Sequence, residues 1–554
     1  MKVILRHAFA LTSTNPRWAT TNRSMSFIHF SHLDTDKQGD TGKHGEDNTH
    51  SQPHACVCPT PCSPTSDADG GDRPCAPKVT TPHRNRDSLQ FTSRVKGRVQ
   101  FAQRIGQQNG KLSKKNASSV FQRPPTPSHA MALRQQNKML HFHCIAAIGI
   151  FTIFTPFAWT ANPEWTGWLG PERNGWVDDF QPPKTWPDKL QQRWRVRVGE
   201  GYGSPLITNG RVYQHARKGE QEVAWCLDLN DGKVLWQQSE PTPFKMGGGG
   251  ERHGKGPKSC PVMSDGRLFT LSITGTLIAR DTETGRLVWK RDYNTRFPKS
   301  YPYWGVSASP IVVDNLIVVH FGNDDQGTLV ALDTSTGQEV WTQGIDGTSY
   351  SSPLLAKFSG VSQIIDWNHN SLCGIDVASG TLLWTQPFPH EGHNQNMPTP
   401  TINDSRILLG AENRGIHSFE PQLTDQGWRV TENWHQPELA LDMSTAVMNN
   451  GLLYGFSHYN SGQLFCLNPD DGEIEWQSRG RSGQNVTFLA IPGHILALVN
   501  DGELKILSAA GTDTKQVASY RVADSPTWAP PVVLSDGFLV KDREYLTRWK
   551  FNEN

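Results

Sequence analysis

An excess of charge of one sign is missing from this sequence. Its 54 Lys and Arg against 53 Asp and Glu leave a formal charge of +1 over 554 residues, which removes any global electrostatic case for nucleic-acid binding. Adjacent cysteines are missing as well. None of the nine cysteines forms a paired CxxC, so neither a zinc framework nor a disulfide scaffold is written into the chain. The glycines at 247–250 lack the following Lys-Ser or Lys-Thr of a phosphate-binding loop, and no helical pattern follows them, so they read as a flexible loop. No Ser/His/Asp or zinc-protease motif points to a hydrolase. The apolar run Cys144 to Phe157 is shorter than the about 20 residues a relaxed membrane helix needs.

What is plentiful is glycine (50), proline (37) and tryptophan (19). Many turns with many large aromatics predict short strands packed face to face. The cysteines divide by region. Cys56, Cys58, Cys62 and Cys75 lie in the first 130 residues, Cys144 in the apolar run, and Cys226, Cys260, Cys373 and Cys466 further on, where they read as small core residues.

Residues 1–130 carry no strand or helix periodicity and read as a disordered or spurious N-terminal extension. Residues 131–161 read as a signal peptide or membrane anchor: Arg134 and Lys138, then the apolar core, then the small residues Ala158, Thr160 and Ala161. A signal belongs at an N-terminus, so translation is expected to begin at Met131 or Met139 and the protein to be periplasmic or secreted. If uncleaved, 139–159 would tie it to a membrane. The Trp- and Pro-rich residues 162–189 are expected to pack as a strap along one side of the body.

Residues 190–554 repeat. Units end on Trp194, Trp236, Trp289, Trp341, Trp384, Trp434 and Trp476, and most carry a turn before that Trp, as in Thr334-Ser-Thr-Gly337. The glycine supplies a positive φ, and the Asp four residues earlier (Asp228, Asp281, Asp333, Asp376) can accept bonds from turn amides. Units begin at Ser204-Pro205, Cys260-Pro261, Ser309-Pro310, Ser352-Pro353, Thr399-Pro400, Thr445-Ala446, Thr487-Phe488 and Ala529-Pro530, because proline is tolerated at a strand's first residue. Each unit then holds four short strands, a to d. The eighth lacks strand d, which Gln192 to Val198 can supply from the other end. The expected fold is therefore all-β: an eight-bladed β-propeller of four-stranded antiparallel blades, with the ring closed by an N-terminal strand.

The phrase Ala-x-Asp-x-x-Thr-Gly-x-x-x-Trp, best kept at Ala279–Trp289 and Ala331–Trp341, resembles the repeat of the pyrroloquinoline-quinone-like (PQQ-like) family. That family holds quinoprotein alcohol dehydrogenases and also the outer-membrane protein assembly lipoprotein, which has the propeller without the cofactor. The stretches 254–259 and 304–310 look like those of secreted polyvinyl-alcohol-dehydrogenase-like proteins. The resemblance implies the fold; chemistry depends on the site.

Strand order puts the a–b and c–d turns at one end of the ring and the b–c turns and d–a connections at the other. The short glycine turns belong to the first end, so function is expected at the second. The candidates there are Lys245, Arg252, His253, Lys258, Arg296, Tyr303, Trp304, Asp324, His369, His390, His393, Glu412, Asn413, Arg414 and Asp501. Cations, amides and aromatics in this mixture suit a protein partner, a glycan or a polar anionic small molecule. His390 and His393 are the candidate metal pair, short of a full ligand set.

Two readings follow. One is an exported, non-catalytic propeller that binds a partner or ligand at its long-loop face. The other is a PQQ- and calcium-dependent alcohol dehydrogenase; the resemblance implies an Asp base and calcium on Glu, Asn and Asp oxygens, while the family's common vicinal disulfide is absent here. An axial cavity rimmed by Arg and Asp over a Trp floor favours the enzyme. An apolar or collapsed axis favours the scaffold.

Overall fold

The computed structural model describes residues 164–551, apart from 298, 345, 393 and 394. The expectations for residues 1–130 and for the signal segment at 131–161 lie outside the described residues, as does the candidate ligand His393. No helix among the described residues is long and apolar enough to cross a membrane.

Eight four-stranded antiparallel sheets are formed, the blades of a β-propeller. Blade 3 shows why. Its strands are Ile311–Val313, Leu316–Gly322, Gly327–Asp333 and Glu339–Gln343, in that spatial order. Leu316–Gly322 is buried along its whole length, because blades pack on both of its faces; its run of branched aliphatics reads accordingly. Glu339–Gln343, the outer strand, buries chiefly Trp341. In the eighth sheet the fourth strand is Leu190–Arg197, which pairs antiparallel with Tyr545–Phe551 from Leu190↔Phe551 to Arg197↔Tyr545.

The repeated phrase is an interface between blades. The indole N–H of Trp289 donates to the carbonyl of Thr334 in the next blade's c–d turn (2.9 Å), and Trp194, Trp236, Trp341 and Trp434 do the same to Leu229, Thr282, Val377 and Pro469. Asp333 Oδ1 holds that turn by accepting from the amides of Ser335 (3.1 Å) and Thr336 (2.8 Å) and from the Thr336 hydroxyl, which holds its carboxyl below the usual range. In blades 1 to 6 a β-bulge follows the residue that faces the Trp, and that residue is small: Cys226, Ala279, Ala331, Gly374, Ser418 and Cys466. Cys226 and Cys466 are thus fully buried partners of an indole, as their repeat position suggested. The insertion in the fifth unit forms no loop. It lengthens the c–d hairpin to strands of 9 and 10 residues, Ile416–Thr424 and Gly427–Gln436.

The entry segment departs from the expected strap along one side. It lies against the innermost strands of several blades. Trp165 exchanges backbone bonds with Ile207 of blade 1, Thr166 accepts from Met263 of blade 2, and Gly175 and Val177 bond Ala490 of blade 7. Arg173 donates to the carbonyls of Pro310 (2.8 Å), Ser309 (3.2 Å) and Pro353 (3.2 Å), joining blades 3 and 4. Its guanidinium is buried, and burial pushes its pKa down to about 10. This segment plugs the ring.

Candidate axial binding site

The start signals do more than open strands. From blade 1 to blade 6 the first residue of the start signal carries a side-chain acceptor, and its backbone N–H donates to the acceptor of the next blade as far as Thr445. Ser204 N–H reaches Cys260 Sγ (3.0 Å), Cys260 reaches Ser309 Oγ (2.9 Å), Ser309 reaches Ser352 Oγ (2.9 Å), Ser352 reaches Thr399 Oγ1 (3.1 Å) and Thr399 reaches Thr445 Oγ1 (3.0 Å). These links form a belt from blade 1 to blade 6 around the axis.

Extended backbone returns a side chain to the same side every second residue. Two positions before each belt residue stand Tyr202, Lys258, Ser307, Tyr350, Met397 and Met443, and all six line one cavity of about 420 Å3. Trp168 of the plug, Trp304, Trp528, Met246, Arg252, His253, Glu412 and Asp442 complete its wall. Trp168 lies 5.6 Å from the Arg173 guanidinium, so the plug carries an indole of the site. The volume is that of a small-molecule site.

The polar groups are arranged by charge. Arg252 Nε donates to His253 Nε2 (3.2 Å), and the His253 ring meets Trp528 edge to face at 4.7 Å. Burial, with Arg252 and Lys258 adding to it, pushes the His253 imidazole down to about 4, so it is neutral at neutral pH. Lys258 donates to the Trp304 carbonyl (2.9 Å), and burial pushes its ammonium down to about 8. Burial raises the Asp442 carboxyl to about 6; Glu412 adds to the rise and Arg252 opposes it. Tyr202, 6% exposed, has a buried hydroxyl with no partner, and burial pushes it up to about 12.

Of the residues expected from sequence, Arg252, His253, Lys258, Trp304 and Glu412 converge here. The others do not. Asn413 and Arg414 line a separate groove of about 300 Å3 at the edge of blade 5. The Tyr303 hydroxyl accepts from the Gly248 amide (2.9 Å), and its amide donates to Asp324 (3.3 Å), so both brace loops. Asp501 accepts from Glu503 N–H (3.0 Å) inside its own turn. Lys245 and Arg296 are exposed. The His390 ring meets that of His369 at a tilt of 44°, with centroids 3.7 Å apart. Tyr202, Asp442, Trp168 and Trp528 were not expected at the site. The signal that finds Tyr202, and brings Met397 and Met443 with it, is the second position before each start signal.

The chain matches the family described as outer membrane protein assembly factor BamB over residues 191–248 and 220–478. It is 25% identical over 357 residues to the quinoprotein alcohol dehydrogenase PedH of Pseudomonas putida, covering 58% of this chain and 56% of that protein. It is 22% identical over 370 residues to BamB of Yersinia pestis, covering 63% of this chain and 86% of that protein. The chain therefore spans little more than half of PedH. Among solved structures, a europium-containing methanol dehydrogenase superposes with a TM-score of 0.50 at 13% identity, over 70% of this chain and 89% of the other, a likeness of fold. The family match, running from 191 to 478, takes in just over half of the chain, and the chain belongs to the PQQ-like repeat family of β-propellers.

Proposed function

We propose that the protein holds a planar, carboxylate-bearing ligand in its axial cavity, and that pyrroloquinoline quinone with a divalent cation such as calcium is the class of ligand these residues fit. The observation that carries this reading is that two carboxyls, Glu412 and Asp442, and two cations, Arg252 and Lys258, line one cavity with three indoles. Burial and the neighbouring Glu412 carboxylate raise the Asp442 carboxyl, and a hard divalent cation between the two would relieve that repulsion. Arg252 and Lys258 would meet ligand carboxylates, and Trp168, Trp304 and Trp528 would offer faces to its plane. The unpartnered Tyr202 hydroxyl would gain an acceptor. The wall holds no cysteine pair; Met246, Met397 and Met443 supply polarisable contacts instead.

Such a quinone, when bound, supplies a two-electron acceptor for an alcohol carbon. The chain's own part would be to exclude water, orient the alcohol and take its hydroxyl proton on the Asp442 carboxylate, whose pKa of about 6 suits neutral pH. Glu412 would hold the cation, with Asp442 adding its carboxylate to the same ion until it takes the proton. Export through 131–161 belongs to this reading, because quinoprotein chemistry of this kind is expected outside the cytoplasm.

A second reading, a rim that binds a partner protein, draws support from coverage: the chain spans 86% of the Yersinia pestis assembly factor and 56% of PedH. Reconstitution separates the two. Purified full chain with excess PQQ and calcium should retain one quinone per chain and reduce a dye when given alcohol. Retention without dye reduction would leave a binding protein and remove the dehydrogenase. No retention would remove the quinone.

A further inference from the structure

Blade 5 holds a second cluster at its outer edge. His417 and His435 are cross-strand partners, and their rings stack with centroids 4.0 Å apart and 9° between planes. Glu432 is three residues before His435, a spacing that puts side chains on opposite faces of a regular strand. The bulge between these positions, the same one that faces Trp434, returns Glu432 to the side of the histidines. Its Oε1 lies 2.8 Å from His417 Nδ1. The other His417 nitrogen, Nε2, lies 2.7 Å from the Arg414 carbonyl.

Both ring nitrogens of His417 therefore face acceptors. A carbonyl can only accept, so Nε2 carries the proton. Nδ1 of a neutral ring then points its lone pair at a carboxylate oxygen. That contact requires a positive centre, either a second ring proton or a metal ion. A proton serves the pair alone. A metal ion serves three groups, since the ligand atoms of His417, Glu432 and His435 all lie within 4.8 Å of one another. The Nε2–H to carbonyl bond is the arrangement that orients metal-bound imidazoles. Gly415 has φ +78, and a Cβ there would come 2.2 Å from His435 Nε2, so the backbone leaves room for that ring.

We propose that His417, His435 and Glu432 bind a zinc ion. Two imidazoles and a carboxylate are borderline donors that suit zinc better than calcium or magnesium. Three protein ligands leave a fourth position for water, facing the groove of about 300 Å3 that both histidines line with Phe388 and Glu391. The site is a different cluster from the axial cavity and does not depend on what fills it.

The test uses the full chain, stripped with chelator and titrated with Co2+, which reports tetrahedral ligation by visible absorption, and then with Zn2+ in competition. Cysteines and histidines elsewhere can add a background, so the variants decide. Wild type is expected to give intense Co2+ bands that Zn2+ abolishes. Glu432→Gln, a change at a half-exposed side chain, should weaken affinity at least tenfold, and His435→Ala should remove the bands. Melting of each metal-free variant close to wild type shows that the fold is kept; if His435→Ala melts early, Glu432→Gln alone carries the test. Absence of bands in wild type, or affinity of Glu432→Gln within twofold of wild type, overturns the proposal.

Discussion

The indole of Trp289 lies against Gly337 of the next blade so closely that a Cβ on that glycine would fall 2.6 Å from the ring. The same closeness joins Trp194 to Gly232, Trp236 to Gly285, Trp341 to Gly380 and Trp434 to Gly472. The glycine of the repeated turn thus answers two demands, a positive φ of its own and the ring of its neighbour. The repeat is written for the contact between units as much as for the unit.

Those two demands can be separated by mutation. Gly210 has φ +72 and nothing within 4 Å of a Cβ, whereas Gly337 has φ +65 and the ring. Gly210→Ala should cost about 1–2 kcal/mol, the left-handed conformation alone. Gly337→Ala should cost about 2–4 kcal/mol, because ring and turn must also part. Urea unfolding of the two variants measures the difference; equal losses would show that the indole is not a constraint.

The belt predicts a tolerance that ordinary conservatism would not. Ser309→Ala leaves the buried Cys260 amide without an acceptor and should cost about 1–3 kcal/mol. Ser309→Cys should recover part of that loss, because the blade before it already uses Cys260 Sγ as acceptor. Chemical denaturation of both variants checks the order.

Arg173 should be hard to replace. Its guanidinium spans carbonyls of two blades, which an ammonium on a flexible stem does not match. Arg173→Leu should destabilise by about 2–5 kcal/mol, leaving three carbonyls unpaired, and Arg173→Lys should not restore wild-type stability. Thermal melting gives the comparison, and a wild-type melting temperature for the Lys variant would contradict the plug.

Asp442 sets a pH dependence. Its folded pKa, about 6, is above its ordinary value of 3.8, so the folded state holds a proton there that the unfolded state has released. Its contribution to stability is fully present below about pH 4 and is lost as pH rises through about 6. Cation binding runs the other way, since the carboxylate form is the ligand: calcium affinity should fall as pH is lowered through 6. Calorimetric titration between pH 5 and 7.5 should show that fall in wild type and a flatter response in Asp442→Asn.

Much of the fold was legible because its signals are local and repeated. Gly337, Asp333 and Trp341 each constrain their own hairpin, and copies of that phrase reveal the blades. Half of the site was legible for the same reason in reverse: Arg252, His253, Lys258 and Trp304 stand in connections too long to be turns. Tyr202 and Asp442 were not: the place of Tyr202 at the axis follows from register to the start signal, and Asp442, three residues before Thr445, stands outside that register. The plug was illegible for a different cause. Arg173 bonds residues more than a hundred positions away, and no periodicity announces such a contact. His417 and Glu432 share a face only because a bulge breaks the alternation by which strand faces are read.

The axial site itself is tested most directly by equilibrium dialysis of PQQ, with calcium present, against the full-length wild type and Arg252→Ala. Retention of one quinone per wild-type chain, weakened at least tenfold in the variant, is the predicted result. No retention by wild type, or equal retention by both proteins, would contradict the assignment of the cavity.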